Sequence, residues 1–231
     1  MKEVSFKERV RNIAICESKN YKKYYGEHDY LVCSSAFKIQ DYYIIDARED
    51  NYQHLLGVNS KIAPQAFFEK CHTGTLQESD FDFQKRGQSE KSVKGSVRRK
   101  IDILPNMMNL FNGNIKAEET FIKNQISCNF ATTDNKCTLG FISTPKSRPM
   151  TLLKGNELDI AKMKDVDLLL RKAKGKEKFS EIIIGDSEVL MSYYEKVKEL
   201  IDENLIPVNL KEEIKTQEEV AAVNENPKTS D

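Results

Sequence analysis

Two short runs, Ile126 to Thr133 and Lys136 to Ser143, flank the pair Asp134-Asn135, and this arrangement restricts the fold more tightly than any other in the chain. Asp and Asn tolerate left-handed backbone and hold turns with their own side chains, so the pair predicts an antiparallel hairpin. With that turn Thr132 faces Cys137, Phe130 faces Leu139, Cys128 faces Phe141 and Ile126 faces Ser143, which makes one side mostly apolar. The other side carries Thr133 with Lys136, Ala131 with Thr138, Asn129 with Gly140, and Ser127 with Ile142. That second side can be the solvated face of a sheet, or a working surface of hydroxyl, amide and ammonium groups.

The flanking segments predict a mixed fold. Ser5-x-x-Glu8 is a capping box, followed by Phe6, Val10, Ile13 and Ala14 at helical spacing, so a helix is expected up to Tyr25 with Gly26 as its stop. Tyr30 to Cys33 and Tyr42 to Ile45 read as strands. Pro64 suits a first helical turn and Gly74 ends that short helix, with Phe67, Phe68 and Cys71 inward. Val97, Ile101, Leu104, Met108 and Phe111 form an amphipathic stripe, although Pro105 should kink or divide the helix that bears it. Met150 to Leu153 reads as a short strand, Asn156 to Lys178 as helix in preference to an edge element, and Ile182 to Ile184 as a buried strand. A last helix is expected from Ser187 to Asn204, and beyond Pro207 too little apolar surface remains to offset ordering entropy. The predicted layout is an N-terminal helix over 1–29, one domain over 30–185, a C-terminal helix over 186–206 and a disordered acidic tail over 207–231.

Composition narrows the functions. No apolar run is long enough for a membrane span and Met1-Lys2-Glu3-Val4 lacks a secretory apolar region, so a cytoplasmic protein is expected. The five cysteines show no C-x-x-C spacing, so neither a disulfide framework nor a zinc site is indicated, and Cys71-His72 could share a metal only with ligands from elsewhere. No Ser-His-Asp arrangement, phosphate-cradling G-x-x-x-x-G-K loop or H-E-x-x-H occurs; neither metal nor cofactor is expected. The formal net charge is zero, yet Lys85, Arg86, Lys91, Lys94, Arg98, Arg99 and Lys100 crowd one stretch opposed only by Glu90, while Glu212, Glu213, Glu218, Glu219, Glu225 and Asp231 gather at the C-terminus. The basic stretch is either a phosphate-binding surface or a solvated loop running into a helix.

Histidine is scarce: His28, His54 and His72 are the three, and imidazole exchanges a proton near neutral pH. In Asn51-Tyr52-Gln53-His54-Leu55-Leu56-Gly57-Val58 the imidazole stands where the strand Tyr42 to Ile45 is expected to end. A backbone-bonded strand-end histidine is the plain alternative to a catalytic one. His72, at the end of its short helix, could be held protonated by the helix dipole or could simply cap it.

A series of landmarks runs through residues 30 to 185: His54-Leu55-Leu56-Gly57; Phe67-Phe68-Glu69-Lys70 leading to Gly74-Thr75-Leu76; Lys100-Ile101-Asp102-Ile103-Leu104-Pro105-Asn106-Met107-Met108-Asn109-Leu110-Phe111; Thr133-Asp134-Asn135-Lys136 with Leu139-Gly140-Phe141; Arg148-Pro149-Met150-Thr151-Leu152-Leu153-Lys154; and Phe179 to Ile184. In order and spacing they resemble the phage and plasmid group of barnase-EndoU-colicin-RelE-like nucleases. The resemblance implies an α+β fold, a small antiparallel sheet packed against helices, with RNA laid across one sheet face. It also implies cleavage in which the substrate's own 2'-OH attacks the neighbouring phosphate, so the protein has only to move protons and stabilise charge. His54 is then the expected base, with Arg48, Lys136, Thr133 and Thr151 completing the catalytic set and Lys94, Arg98, Arg99, Lys100 and Arg148 binding substrate. The expectation is an endoribonuclease of a mobile genetic element, with tRNA among its candidate substrates, a toxin role and a neutralising protein partner. The rival expectation is a non-catalytic RNA- or protein-binding module, since a fold can be shared without activity. The oligomeric state is not legible in the sequence.

Overall fold

The computed structural model describes residues 4–123 and 125–208, so from residue 209 onward the expected acidic tail lies outside the described residues. Helix α1 (Phe6–Tyr21) begins where the Ser5 hydroxyl accepts the Glu8 amide at 3.0 Å, and a π-helical turn over Lys22–Gly26 leads into β1 (His28–Ser34). Next come β2 (Tyr43–Ile45), α2 (Tyr52–Leu56), β3 (Asn59–Ser60), α3 (Pro64–His72), β4 (Phe81–Asp82) and α4 (Glu90–Met108). Then follow β5 (Lys116–Glu119), β6 (Ile122–Lys123), β7 (Ile126–Ser127), β8 (Phe130–Thr133), β9 (Cys137–Ser143), β10 (Ser147–Lys154), β11 (Lys164–Ala173) and β12 (Glu181–Ile184). The described chain closes with α5 (Ser187–Ser192), α6 (Tyr194–Val197) and two 3-10 turns.

The sheet corrects the expectation of a small sheet packed against helices. Its strands run β1-β2-β10-β9-β8-β5-β11, and β11 pairs back onto β1, so seven strands close into a barrel. Closure depends on β11, in the segment expected to be helical. One edge of β11 pairs with β1 from His28↔Ala173 to Ser34↔Val166. The other edge is shared: Lys164 and Asp165 pair with β5, while Leu169 to Arg171 pair with β12. Leu168-Leu169-Leu170 reads as an unbroken apolar run because the strand is buried on both faces. Leu169 joins the main core, and Leu168 and Leu170 join a second cluster with Phe179, Leu190 and Val197.

The predicted hairpin is present with a shifted register. Phe130 pairs with Phe141, Ala131 with Gly140, Thr132 with Leu139 and Thr133 with Thr138. The loop is longer than two residues because the Asp134 carboxylate accepts the amides of both Lys136 and Cys137, each at 2.9 Å, with Asn135 at φ +70°. The shift is an even number of residues, so Phe130 to Thr133 keep their predicted faces while their partners change; Cys128, predicted on the apolar face with Phe130, instead lies on the other with Ala131. The apolar face enters the main core, where the Phe130 ring lies 4.4 Å from Tyr43 and 4.6 Å from Phe141. Ile126 and Ser127 leave the hairpin and pair with β6 instead.

The other face is no open RNA platform. Thr133, Thr138 and Thr151 are buried, and Phe121, Cys128, Ala131 and Leu158 form a third apolar cluster with Leu153 and Met163 packed against it. The threonine hydroxyls bond locally, Thr133 to the Cys137 carbonyl at 2.7 Å and Thr138 to the Gly155 carbonyl at 2.8 Å.

Two helix expectations also change. Pro105 does not divide α4, which runs on to Met108 with Val97, Ile101, Leu104 and Met108 buried. The expected helix from Ser187 is broken after Ser192 and again after Val197, and Ile201 bridges to Phe179. Among the described residues no helix is long and apolar enough to cross a membrane.

Candidate active site

Helix α2 is short, and buried tyrosines fix its position. The Tyr21 hydroxyl donates to the Arg48 carbonyl at 2.8 Å, and Tyr52, wholly buried, donates to the Ala14 carbonyl at 2.8 Å. Tyr52, Leu55 and Leu56 point inward at helical spacing, which leaves His54 on the exposed side. The imidazole therefore lies not at a strand end but in a helix anchored to α1 by Tyr52.

Gly57 ends α2 with φ +78°, its amide donating to the Gln53 carbonyl at 3.1 Å. The missing side chain gives Lys100 of α4 its route: a Cβ at position 57 would stand 2.9 Å from Lys100 Cδ. Lys100 Nζ crosses to donate to the His54 carbonyl at 2.9 Å, which places an ammonium at the C-terminal end of α2.

A third group arrives from the β3–β4 ribbon. Asn59 pairs with Asp82 across it, and the Asp82 carboxylate accepts from Asn59 Nδ2 at 2.8 Å and from the Gln84 amide at 2.9 Å. The next residue, Lys85, stands close enough to both His54 and Lys100 to act on their protonation. Burial around the ring, then the charges of Lys100 and Lys85, hold the His54 pKa below its usual value, with Asp50 opposing. Burial, then Lys85, brings the Lys100 ammonium down to about 8, and burial alone lowers Lys85. A neutral imidazole beside two partly desolvated ammonium groups is a base next to a place for an anion, because a bound anion offsets the burial that depresses both lysines and the repulsion from Lys85 that adds to it at Lys100.

The sequence candidates thus separate. His54 and Lys100 are brought together, joined by Lys85, which sequence reasoning counted in the basic stretch but did not select. The β3–β4 pairing and the Lys85–Gln88 bridge that follows it place Lys85 near His54. Thr133 and Thr151 are buried in the barrel wall, and Lys136 sits in the hairpin turn. Lys94 pairs with Glu90 at 2.6 Å and lies 5.4 Å over the Phe83 ring, while Arg98 lies 5.2 Å over the Phe6 ring. Arg99 is exposed on α4 and, among the described residues, makes no ion pair. Arg48 is exposed and pairs with Asp46 at 3.4 Å. Arg148 keeps a buried Nε without a partner among the described residues, as do Asp50 Oδ1 and Gln53 Oε1. The elements bearing these atoms meet, since the turn Glu49–Asn51 and α2 both pack on β10.

The other histidines do different work. His28 Nδ1 bonds the Lys23 carbonyl at 2.9 Å, and His72 stacks on Phe68 at 5.9 Å. Cys71 is buried, with its thiol pushed up to about 12 first by burial, then by Asp80. Among the described residues no three His, Cys, Asp or Glu side chains converge as a metal site.

The sequence model of the family described as phage-Barnase-EndoU-ColicinE5/D-RelE like nuclease4 matches residues 17–226. No curated protein and no solved structure matches the chain.

Proposed function

The chain belongs to the phage-Barnase-EndoU-ColicinE5/D-RelE like nuclease family, and on that premise we propose that it is an endoribonuclease whose catalytic centre is His54, Lys85 and Lys100. The observation that carries this reading is the opposed protonation of two adjacent groups: His54 is held neutral and Lys100, at about 8, stays charged at neutral pH. A base and an acid with separated pKa values are what the reaction needs. His54 takes the proton of a ribose 2'-OH, the freed oxygen bonds to the adjacent phosphorus, and the bond from phosphorus to the 5'-oxygen breaks. Lys100 supplies the proton to that departing oxygen, and Lys85 holds the charge gathering on the non-bridging oxygens. No metal ion takes part in this scheme.

Structured RNA, tRNA included, is the proposed substrate. The proposed setting is a phage or plasmid, where such an activity serves as a toxin and calls for a neutralising partner. The test is to incubate total cellular RNA with the purified protein and with His54→Ala in excess EDTA. Discrete fragments from the first alone support the proposal. RNA bound but left whole by both would turn the assignment to a binding module.

A further inference from the structure

Strand β5 ends in two adjacent buried carboxylates, Glu118 and Glu119, and each holds a different loop. Glu118 accepts the Asp159 amide at 2.6 Å, which fixes the loop running into β11. Glu119 accepts the amides of Lys38, Ile39 and Gln40 and the Tyr43 hydroxyl, which fixes the loop that follows β1. Between the two loops lies a cleft of about 480 Å³, with Lys38 and Ile39 on one side and Ala161, Lys162 and Lys164 on the other. None of these residues belongs to the proposed catalytic centre.

The carboxylates beside the cleft are already engaged. Four donors meet Glu119, and Lys116 takes the Asp165 carboxylate, next to Lys164, at 2.8 Å. Lys38 and Lys164 are exposed and make no ion pair among the described residues, while Lys162 has only Asp159 at 3.7 Å. Beside these ammonium groups stand Ile39, 67% exposed, and Ile160, 80% exposed. Such a surface suits a peptide in which carboxylates and apolar residues are interspersed, whereas a phosphate backbone would leave the isoleucines without a counterpart.

A peptide of that kind continues this chain. Beyond Val208 come Glu212-Glu213-Ile214 and Glu218-Glu219-Val220-Ala221-Ala222-Val223. The chain approaches Val208 beside the cleft, since Leu205 and Ile206 pack against the cluster that contains Cys33. Asp167 Oδ2 ties the same region to the cleft wall, accepting the Tyr193 hydroxyl at 2.6 Å and the amide of the lining residue Ser35 at 2.9 Å. Glu218 stands ten residues past Val208, a reach of about 34 Å, twice the radius of gyration of about 17 Å for a body of this size. We infer that the cleft is a docking site for the acidic segment 212–223 of the same chain, its glutamate pairs on Lys38, Lys162 and Lys164 and its apolar residues on Ile39 and Ile160. The docking is independent of whether the chain cuts RNA.

Carbodiimide coupling of the full chain joins a carboxylate to an amine where the two are in contact, and peptide mapping then reads the links. The expected links run from Lys38, Lys162 or Lys164 to Glu212, Glu213, Glu218 or Glu219. Lys38→Glu with Lys164→Glu should cut them about fivefold, the worth of two exposed ion pairs. Adding Glu218→Lys and Glu219→Lys to that variant should restore coupling with the roles exchanged. Ile39→Ser with Ile160→Ser changes no charge and should also cut the links severalfold; all four cleft sites are exposed, so the fold is spared. Mixing isotope-labelled with unlabelled protein distinguishes the occupants. Links within one isotopic composition support the segment of the same chain, and links joining the two compositions would give the cleft to a second copy and overturn the assignment. Links to Lys85 or Lys100 in place of the cleft, links unchanged in both cleft variants, or no links at all would each overturn it too; in the last case, shielding of Lys38 and Lys164 from acylation by total cellular RNA would make the cleft an RNA surface.

Discussion

At the scale of single residues, the account makes His54 and Lys100 titrate on opposite sides of neutrality. His54 has to lose its proton before it can act, and its pKa is depressed by burial and by two ammonium neighbours. Cleavage should therefore rise with pH through a midpoint below 6.5 and be fully established at neutrality, which a pH–rate profile under substrate-limiting conditions will read. Lys100 sets the other limb. An anion prefers the protonated amine, so RNA affinity should be flat below about 8 and fall as pH rises through that value. Lys100→Gln should weaken binding and erase that alkaline limb, and an unchanged limb would assign it to another group. His54, the proposed base, stood out in the sequence because imidazole is scarce there and few side chains titrate near neutrality. Lys85 did not, because what brings it toward His54 is a two-residue strand pair with no periodicity to detect. The burial of Thr133 and Thr151 was not legible, because a hydroxyl on a strand reads the same whether it faces solvent or lies inside a wall.

Among elements, the short helix α2 and its glycine stop decide whether the site is assembled. Gly57 adopts φ +78°, and Lys100 lies where its Cβ would be. Gly57→Ala should cost about 1–2 kcal/mol in a denaturant melt from the left-handed backbone alone. It should also push the Lys100 chain aside and lower RNA affinity; an alanine variant with full stability and affinity would remove Gly57 from the account. Helix α4 shows what periodicity can and cannot tell. Its apolar stripe predicted the buried face correctly, but the basic residues along it have unlike fates: Lys94 and Arg98 lie over Phe83 and Phe6, while Lys100 turns to α2. A count of charges along a segment does not separate a packed cation from a free one. The segment from Asn156 to Lys178 was misread because three consecutive leucines fit a helix as well as a strand buried on both faces.

For the whole molecule, that one misreading hid the barrel. Without β11 the remaining strands form an open sheet with a polar face to spare, and the threonines of the hairpin look available. With β11 in place the sheet closes, and the face expected to carry RNA lies under Phe121, Cys128 and Leu158. Gly140 reports on this burial, since a Cβ there would meet Cys128 Sγ at 2.7 Å and Thr151 Cγ2 at 2.9 Å. Gly140→Ala should destabilise the fold by about 1–3 kcal/mol through overpacking. Unaltered stability would mean that the face is open after all. The proposed catalytic centre accordingly lies not on the sheet but on its helical side, where α2 packs on α4. The most direct test of that assignment is to map the termini of the RNA fragments released by the wild-type protein. The account predicts 2',3'-cyclic phosphates paired with 5'-hydroxyls, lost in His54→Ala, since the 2'-OH is the nucleophile and His54 its base. Fragments bearing 5'-phosphates and 3'-hydroxyls, or cyclic ends undiminished in His54→Ala, would contradict it.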